Sequence, residues 1–77
     1  LNNTIENPFY IFPNPVKSNL NVSGEYDCIS IIDNLGREYI LEKLITNNYD
    51  LSRFSSGIYY VKLSNDQLTY TSSILIE

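Results

Sequence analysis

Few residues in this chain have the types and spacing to do chemistry. Asp33-Asn34-Leu35-Gly36 sets a carboxylate beside a carboxamide, the oxygen donors that calcium takes. The spaced acids and distal glutamate of a hand-type loop are missing, so a hairpin turn with Gly36 in a left-handed conformation is the better reading. Glu38 with Glu42, or Asp50 with either, are the candidates for a glycosidase-type carboxylate pair. Acidic residues on strand faces are ordinarily solvated, and so small a domain offers no deep pocket for them. The chain has no histidine, no glycine-rich phosphate loop and no hydroxyl or thiol with a plausible base. Neither enzymatic activity nor a cofactor or metal site is expected. The single cysteine, Cys28, excludes an internal disulfide and multi-cysteine metal sites; at the start of an apolar run it reads as a small buried hydrophobe.

Binding chemistry has more material. Seven tyrosines are many for 77 residues. Any that are exposed, with Tyr10, Tyr26 and Tyr49 the candidates, would stack on sugars or pack against a partner. The competing explanation is that tyrosine simply suits strands. Asn2-Asn3-Thr4 and Asn21-Val22-Ser23 fit the short and common glycosylation pattern. A net charge of −4 with five scattered lysines and arginines argues against nucleic acid. No apolar run reaches the length of a membrane span, so no membrane insertion is expected. Methionine is absent even at position 1, and the chain is expected to be a piece of a longer polypeptide.

The elements that must position these residues are strands. Gly57 to Leu63 is the clearest, with Tyr59, Val61 and Leu63 on one face and Lys62 and Ser64 on the other. Leu51 and Phe54, in the polar lead-in, are expected to plug the core beneath it. Residues 1–8 read as a linker ending at Pro8, and residues 9–77 as one domain. Phe9 to Phe12 forms a first strand, closed by the rigid Pro13-Asn14-Pro15 corner. Leu20 to Val22, Cys28 to Ile32, Arg37 to Ile45 and Tyr49 to Leu51 follow, and Leu68 to Ile76 is the last. In the fourth, Tyr39 and Leu41 alternate with Glu38 and Glu42, and Ile40 breaks the pattern. About seven short antiparallel strands with turn residues between them specify an all-β fold, a small Ig-like β-sandwich.

The order of motifs goes further. Tyr10 to Val16 followed by Leu20-Asn21-Val22, then Ile29 to Glu38, then Asp50 to Leu63 together resemble the C-terminal sorting domain of type IX secretion system cargo, type A. The resemblance covers residues 10–77. Pro13, Asn14 and Pro15 match the family's proline corner, and Gly36 with Arg37 its hairpin. Gly57, Tyr59 and Val61 match its late strand, and Ile74, Leu75, Ile76 and Glu77 the terminal strand most tied to secretion. The family's last strand often carries lysines before its apolar end, whereas this chain has Ser72 and Ser73.

The resemblance implies an address label without an active site, attached to an upstream cargo domain in a Gram-negative bacterium. Its partners would be the type IX translocon with the associated outer-membrane shuttle and sortase proteins. The route would run from the periplasm to the cell surface or the medium, with cleavage in or before residues 1–8 and attachment of the cargo to surface lipopolysaccharide. A terminal strand on a sheet edge would offer its backbone to a partner. On this reading, deleting Ile74 to Glu77 abolishes secretion and leaves most of the sandwich folded. The alternatives are an Ig-like or fibronectin-like accessory module, whether stalk, sugar-binding or adhesive, and a self-associating edge-pairing unit.

Overall fold

Alternation at period two decides which side chains are buried, and the strands form where it is sustained. The computed structural model describes residues 9–77; the expected linker and the Asn2-Asn3-Thr4 acceptor lie outside them. The strands are β1 (Tyr10–Phe12), β2 (Asn19–Ser23), β3 (Cys28–Ile32), β4 (Glu38–Leu41), β5 (Asn48–Asp50), β6 (Gly57–Ser64) and β7 (Thr69–Ile76). They make a three-stranded sheet, β1-β2-β5, and a four-stranded one, β4-β3-β6-β7, with every strand pairing antiparallel. Leu20, Val22 and Tyr49 from the small sheet meet Ile29, Ile31, Tyr59, Val61, Leu63, Ile74 and Ile76 from the large one in a single core. The expected all-β sandwich is the fold.

In β6 the expected alternation holds: Tyr59, Val61 and Leu63 are buried, whereas Ile58 and Tyr60 face outward. Leu51 is fully buried, and Phe54 packs on the margin of the core, so both plugs lie where expected. Gly57 enters β6 at φ +150°, a backbone conformation that side chains with a Cβ rarely adopt. Two residues on, the Tyr59 hydroxyl donates to the Ser55 carbonyl at 2.7 Å. A tyrosine near the start of this strand, bonded back to the backbone upstream, is the tyrosine corner of immunoglobulin-like sandwiches. The strand order agrees with that arrangement. The residue after the proline corner, Val16, leaves the small sheet and bridges in parallel to Ile76 of the other.

Several expectations are corrected. The fourth strand stops at Leu41 instead of Ile45, because a turn follows in which Asn47 donates its amide to the Leu44 carbonyl and takes φ +58°. That left-handed position suits asparagine and ends the ladder. Cys28 is exposed, not buried: with Ile29 and Ile31 committed to the core, the alternate residue of β3 falls on the wet face, opposite Ser64. Tyr26 and Tyr49 are buried at 2% and 3% exposure, leaving Tyr10 as the exposed member of the proposed trio. Register explains Tyr49, which sits opposite the core residue Leu20.

Candidate functional site

The terminal strand lies on an edge of the four-stranded sheet, and a piece of the chain from the other end of the sequence partly covers it. Ile74 and Ile76 reach into the core at 1% and 2% exposure, while Leu75 faces outward. Pro13-Asn14-Pro15 carries the backbone from β1 across to this edge, with cis bonds at Phe12-Pro13 and Asn14-Pro15. Val16 donates its amide to the Leu75 carbonyl at 2.7 Å, and its carbonyl accepts from the Glu77 amide at 2.8 Å. The Asn14 carboxamide accepts from the Leu75 amide at 3.0 Å and donates to the Ser73 carbonyl at 3.3 Å. One asparagine side chain thereby takes the place of a peptide group in a neighbouring strand. Val16 anchors this cover, since it is itself completely buried.

Alternation along β7 follows from these contacts. In an antiparallel pair, successive residues turn their N–H and C=O toward the partner strand and away from it in turn. Leu75 and Glu77 point outward to the cover, so Thr69, Thr71 and Ser73 point outward as well, and Tyr70, Ser72, Ile74 and Ile76 bond β6. The cover ends at the Ser73 carbonyl. From Thr69 to the Ser73 amide the outer groups of the strand have no hydrogen-bond partner among the described residues.

The structure brings most of the sequence-derived candidates together here. Pro13, Asn14 and Pro15 flank Leu75 and Glu77; Gly57 pairs with Ile76, Tyr59 with Ile74 and Val61 with Ser72. Gly57, Tyr59 and Val61 act through packing and the tyrosine corner. Sequence reasoning missed Val16, whose available signal was an isolated apolar residue between a proline corner and a polar run. It missed Thr69 and Thr71 as well, because nothing in two threonines says which way their amides point.

Gly36 and Arg37 belong to a separate constellation at the β3–β4 turn. Gly36 has φ +84° and donates its amide to the Asp33 carbonyl at 3.0 Å, as the expected hairpin requires. The Asp33 side chain is spent inside the turn. It accepts from the amides of Leu35 and Arg37, each at 2.9 Å, and from the Arg37 Nε at 2.7 Å. Burial opposes its ionisation, but the Arg37 amide and guanidinium and the Leu35 amide outweigh this and hold the carboxyl below its ordinary range. Arg37 is raised in turn, chiefly by its bond to Asp33. Tyr39, whose hydroxyl reaches Asp33 at 3.4 Å, meets Phe54 edge-on, and Phe54 meets Tyr59 in the same way at 5.6 Å. The hairpin is thereby tied to the tyrosine corner.

Most of the remaining chemical candidates are occupied structurally, and Glu42 is exposed beyond the end of β4. Glu38 accepts from the Ser30 hydroxyl at 2.7 Å and pairs with Lys62 at 3.4 Å; the Ser30 bond, then Lys62, lowers its carboxyl. Asp50 lies in the other sheet and caps the Ser52 amide at 2.9 Å, so it forms no pair with Glu38. The Asn21 carboxamide accepts from Asn48 across β2 and β5 at 2.6 Å. Tyr26 and Tyr49 share a hydroxyl–hydroxyl bond of 2.7 Å, and Tyr26 also donates to Asn47. Burial, then the Tyr49 hydroxyl, pushes the Tyr26 phenol far up, so it stays neutral and structural.

The family model for the secretion system C-terminal sorting domain matches residues 10–77, from the first residue of β1 to the end of the chain. The chain belongs to that family. No curated protein matches the chain. The match takes in the cover, the Asp33–Arg37 turn, the tyrosine corner and the terminal strand of the sorting domain together. The family is one of secretion signals and not of enzymes. Membership implies contact with the type IX machinery and export across the outer membrane to the surface or the medium.

Proposed function

We propose that this sorting domain is the C-terminal address of a larger cargo protein, read by the type IX translocon and its outer-membrane shuttle and then removed by the sortase. The observation that carries the reading is the family match over residues 10–77. The β7 edge supports it, because a signal serving many cargoes needs a surface independent of cargo identity, and edge backbone is such a surface. Pro13, Asn14, Pro15, Leu75 and Glu77 flank the recognised edge, whereas the buried Ile74 and Ile76, with Gly36, Arg37, Gly57, Tyr59 and Val61, keep it in shape. Cargo passes through the periplasm with the domain folded. The cut falls in or before residues 1–8, the polar, asparagine-rich stretch of sequence ahead of the domain, and the freed cargo stays on the surface or is released.

The test appends residues 1–77 to a periplasm-directed fluorescent protein in a host with the type IX machinery. Fluorescence on the surface or in the medium, on cargo freed of the domain, is the expected result. Cargo held in the periplasm with an intact, folded domain, beside a working reference signal, refutes the reading. The immunoglobulin-like strand order and the tyrosine corner favour one second reading, an accessory module of an extracellular protein. Such a module stays attached to the exported protein, so the size of the secreted product separates the two.

A further inference from the structure

Among the described residues four strands lie on sheet edges: β1 and β5 in the small sheet, β4 and β7 in the large one. Three of them are short, with β1 and β5 at three residues and β4 at four, and brevity is a common protection against edge-to-edge pairing. β7 has eight residues. Its second half is covered by Asn14 and Val16. Its first half carries no proline and no lysine, only threonine, tyrosine and serine, and no cover among the described residues.

We propose that the outer edge of β7 from Thr69 to Ser73 is a strand-addition site for an extended backbone segment of the export machinery. The proposal rests on the sorting reading and names the surface that reading leaves open. The sorting domain itself supplies the precedent for what fits this edge. Pro13 to Val16 lies on the adjoining half as an extended segment, bonded through amides and carbonyls and through a carboxamide that imitates them. An incoming strand continues that line. It takes the Thr69 and Thr71 carbonyls as acceptors and the Thr69, Thr71 and Ser73 amides as donors, at the spacing every β-ladder shares. The cover fixes where the added strand must stop. Beside the site, the outward side chains Thr69, Thr71 and Ser73 are short, so a wide range of side chains fits opposite them. Specificity then comes from the neighbouring outer face, where Ile58, Tyr60 and Leu75 stand exposed along β6 and β7.

Backbone alternation provides a test that side-chain substitutions cannot. Thr71→Pro removes an outward amide that β6 does not use, and proline is tolerated on an edge strand at such a position. Thr69→Pro does the same at the first residue of the strand and serves where the first variant folds poorly. Ile40→Pro is the matched control on the opposite edge: the Arg37 carbonyl accepts from the Asp33 amide, so by alternation Tyr39 and Leu41 turn toward β3 and the Ile40 amide faces away. Each is first checked by urea unfolding, and folded variants go into the fluorescent-cargo export assay with the wild-type chain alongside. The expected result is at least a tenfold drop in exported cargo for Thr71→Pro or Thr69→Pro, with Ile40→Pro within about twofold of wild type. Export of the folded Thr71→Pro and Thr69→Pro variants at the wild-type level overturns the strand-addition site and leaves the sorting reading standing. A wild-type chain that is not exported refutes the sorting reading itself, and the proposal with it. A concentration-dependent dimer in sedimentation that Thr71→Pro abolishes makes the occupant a second copy, and also overturns the proposal.

Discussion

Tyr59→Phe removes the bonds of one hydroxyl and leaves the packing in place. The lost group is the hydroxyl that donates to the Ser55 carbonyl at 2.7 Å and meets the exposed Ser55 hydroxyl at 3.3 Å, a longer contact that water replaces, while the ring stays edge-on to Phe54 at 5.6 Å. Ser55 is exposed, so its orphaned carbonyl can turn to water and the full penalty of a buried unsatisfied acceptor does not apply. The expected loss is therefore about 1 kcal/mol, the net contribution of an ordinary intramolecular hydrogen bond. In a domain of this size that corresponds to a fall in Tm of roughly 4–8 °C. The assay is equilibrium urea unfolding with an unchanged slope, since the surface exposed on unfolding hardly alters. Tyr60→Phe is the internal control. Tyr60 is the next residue, exposed and pointing the other way, and its change is expected to stay within about 0.5 kcal/mol. If Tyr59→Phe is as neutral as Tyr60→Phe, the tyrosine corner does not hold the entry to β6, and the link from the Asp33–Arg37 hairpin to the terminal strand fails with it.

Three other outcomes follow from the same geometry. Asp33 has a folded pKa below its unfolded value of about 3.9, so the stability it contributes is present above that pH and disappears as the pH falls through the folded value. Asp33→Asn is expected to flatten the acid limb of a stability-versus-pH curve below about pH 4, leaving the share of the similarly lowered Glu38 and Asp50. An acid limb unchanged in Asp33→Asn contradicts the assignment. Gly36→Ala meets no atom within 4 Å, so its cost is conformational alone, roughly 1–2 kcal/mol by urea unfolding for a side chain forced to φ +84°. Cys28, exposed on the wet face of β3, is expected to react with a thiol reagent in native buffer at nearly its rate in urea, and strong native protection would contradict the register.

The burial of Ile74 and Ile76 changes how the terminal strand has to be tested. Truncating a single buried isoleucine to alanine costs about 2–5 kcal/mol. Deleting Ile74 to Glu77 removes both core side chains together with the partners of Gly57 and Tyr59. A domain of this size has only several kcal/mol in hand. The deletion is therefore expected to unfold the sandwich, contrary to the sequence-based expectation that most of it would stand, and lost export in such a variant would say nothing about recognition. Single substitutions on the outer edge avoid the problem.

Sequence alone determined the number and order of the strands and the inward face of the clearest of them. β-branched and aromatic residues at period two placed Tyr59, Val61 and Leu63 inward, and Asp33 with Gly36 determined the hairpin, because both signals are local to a few consecutive residues. The motif order likewise pointed to the family before any contact was known. Tertiary structure decided the rest, for a physical reason visible at particular residues. Tyr26 and Tyr49 look alike as exposed or buried tyrosines until the two hydroxyls meet at 2.7 Å across 23 positions of chain. Cys28 sits at the boundary of an apolar run, and only the strand register assigns it to water. Asn14 reads as a turn former between prolines, and its bonds to Ser73 and Leu75 span 59 and 61 positions. Local pattern decides which way a side chain points along its own strand. It carries no information about which distant segment lies beside the edge, and in this sorting domain that neighbour separates the covered half of the terminal strand from the open one.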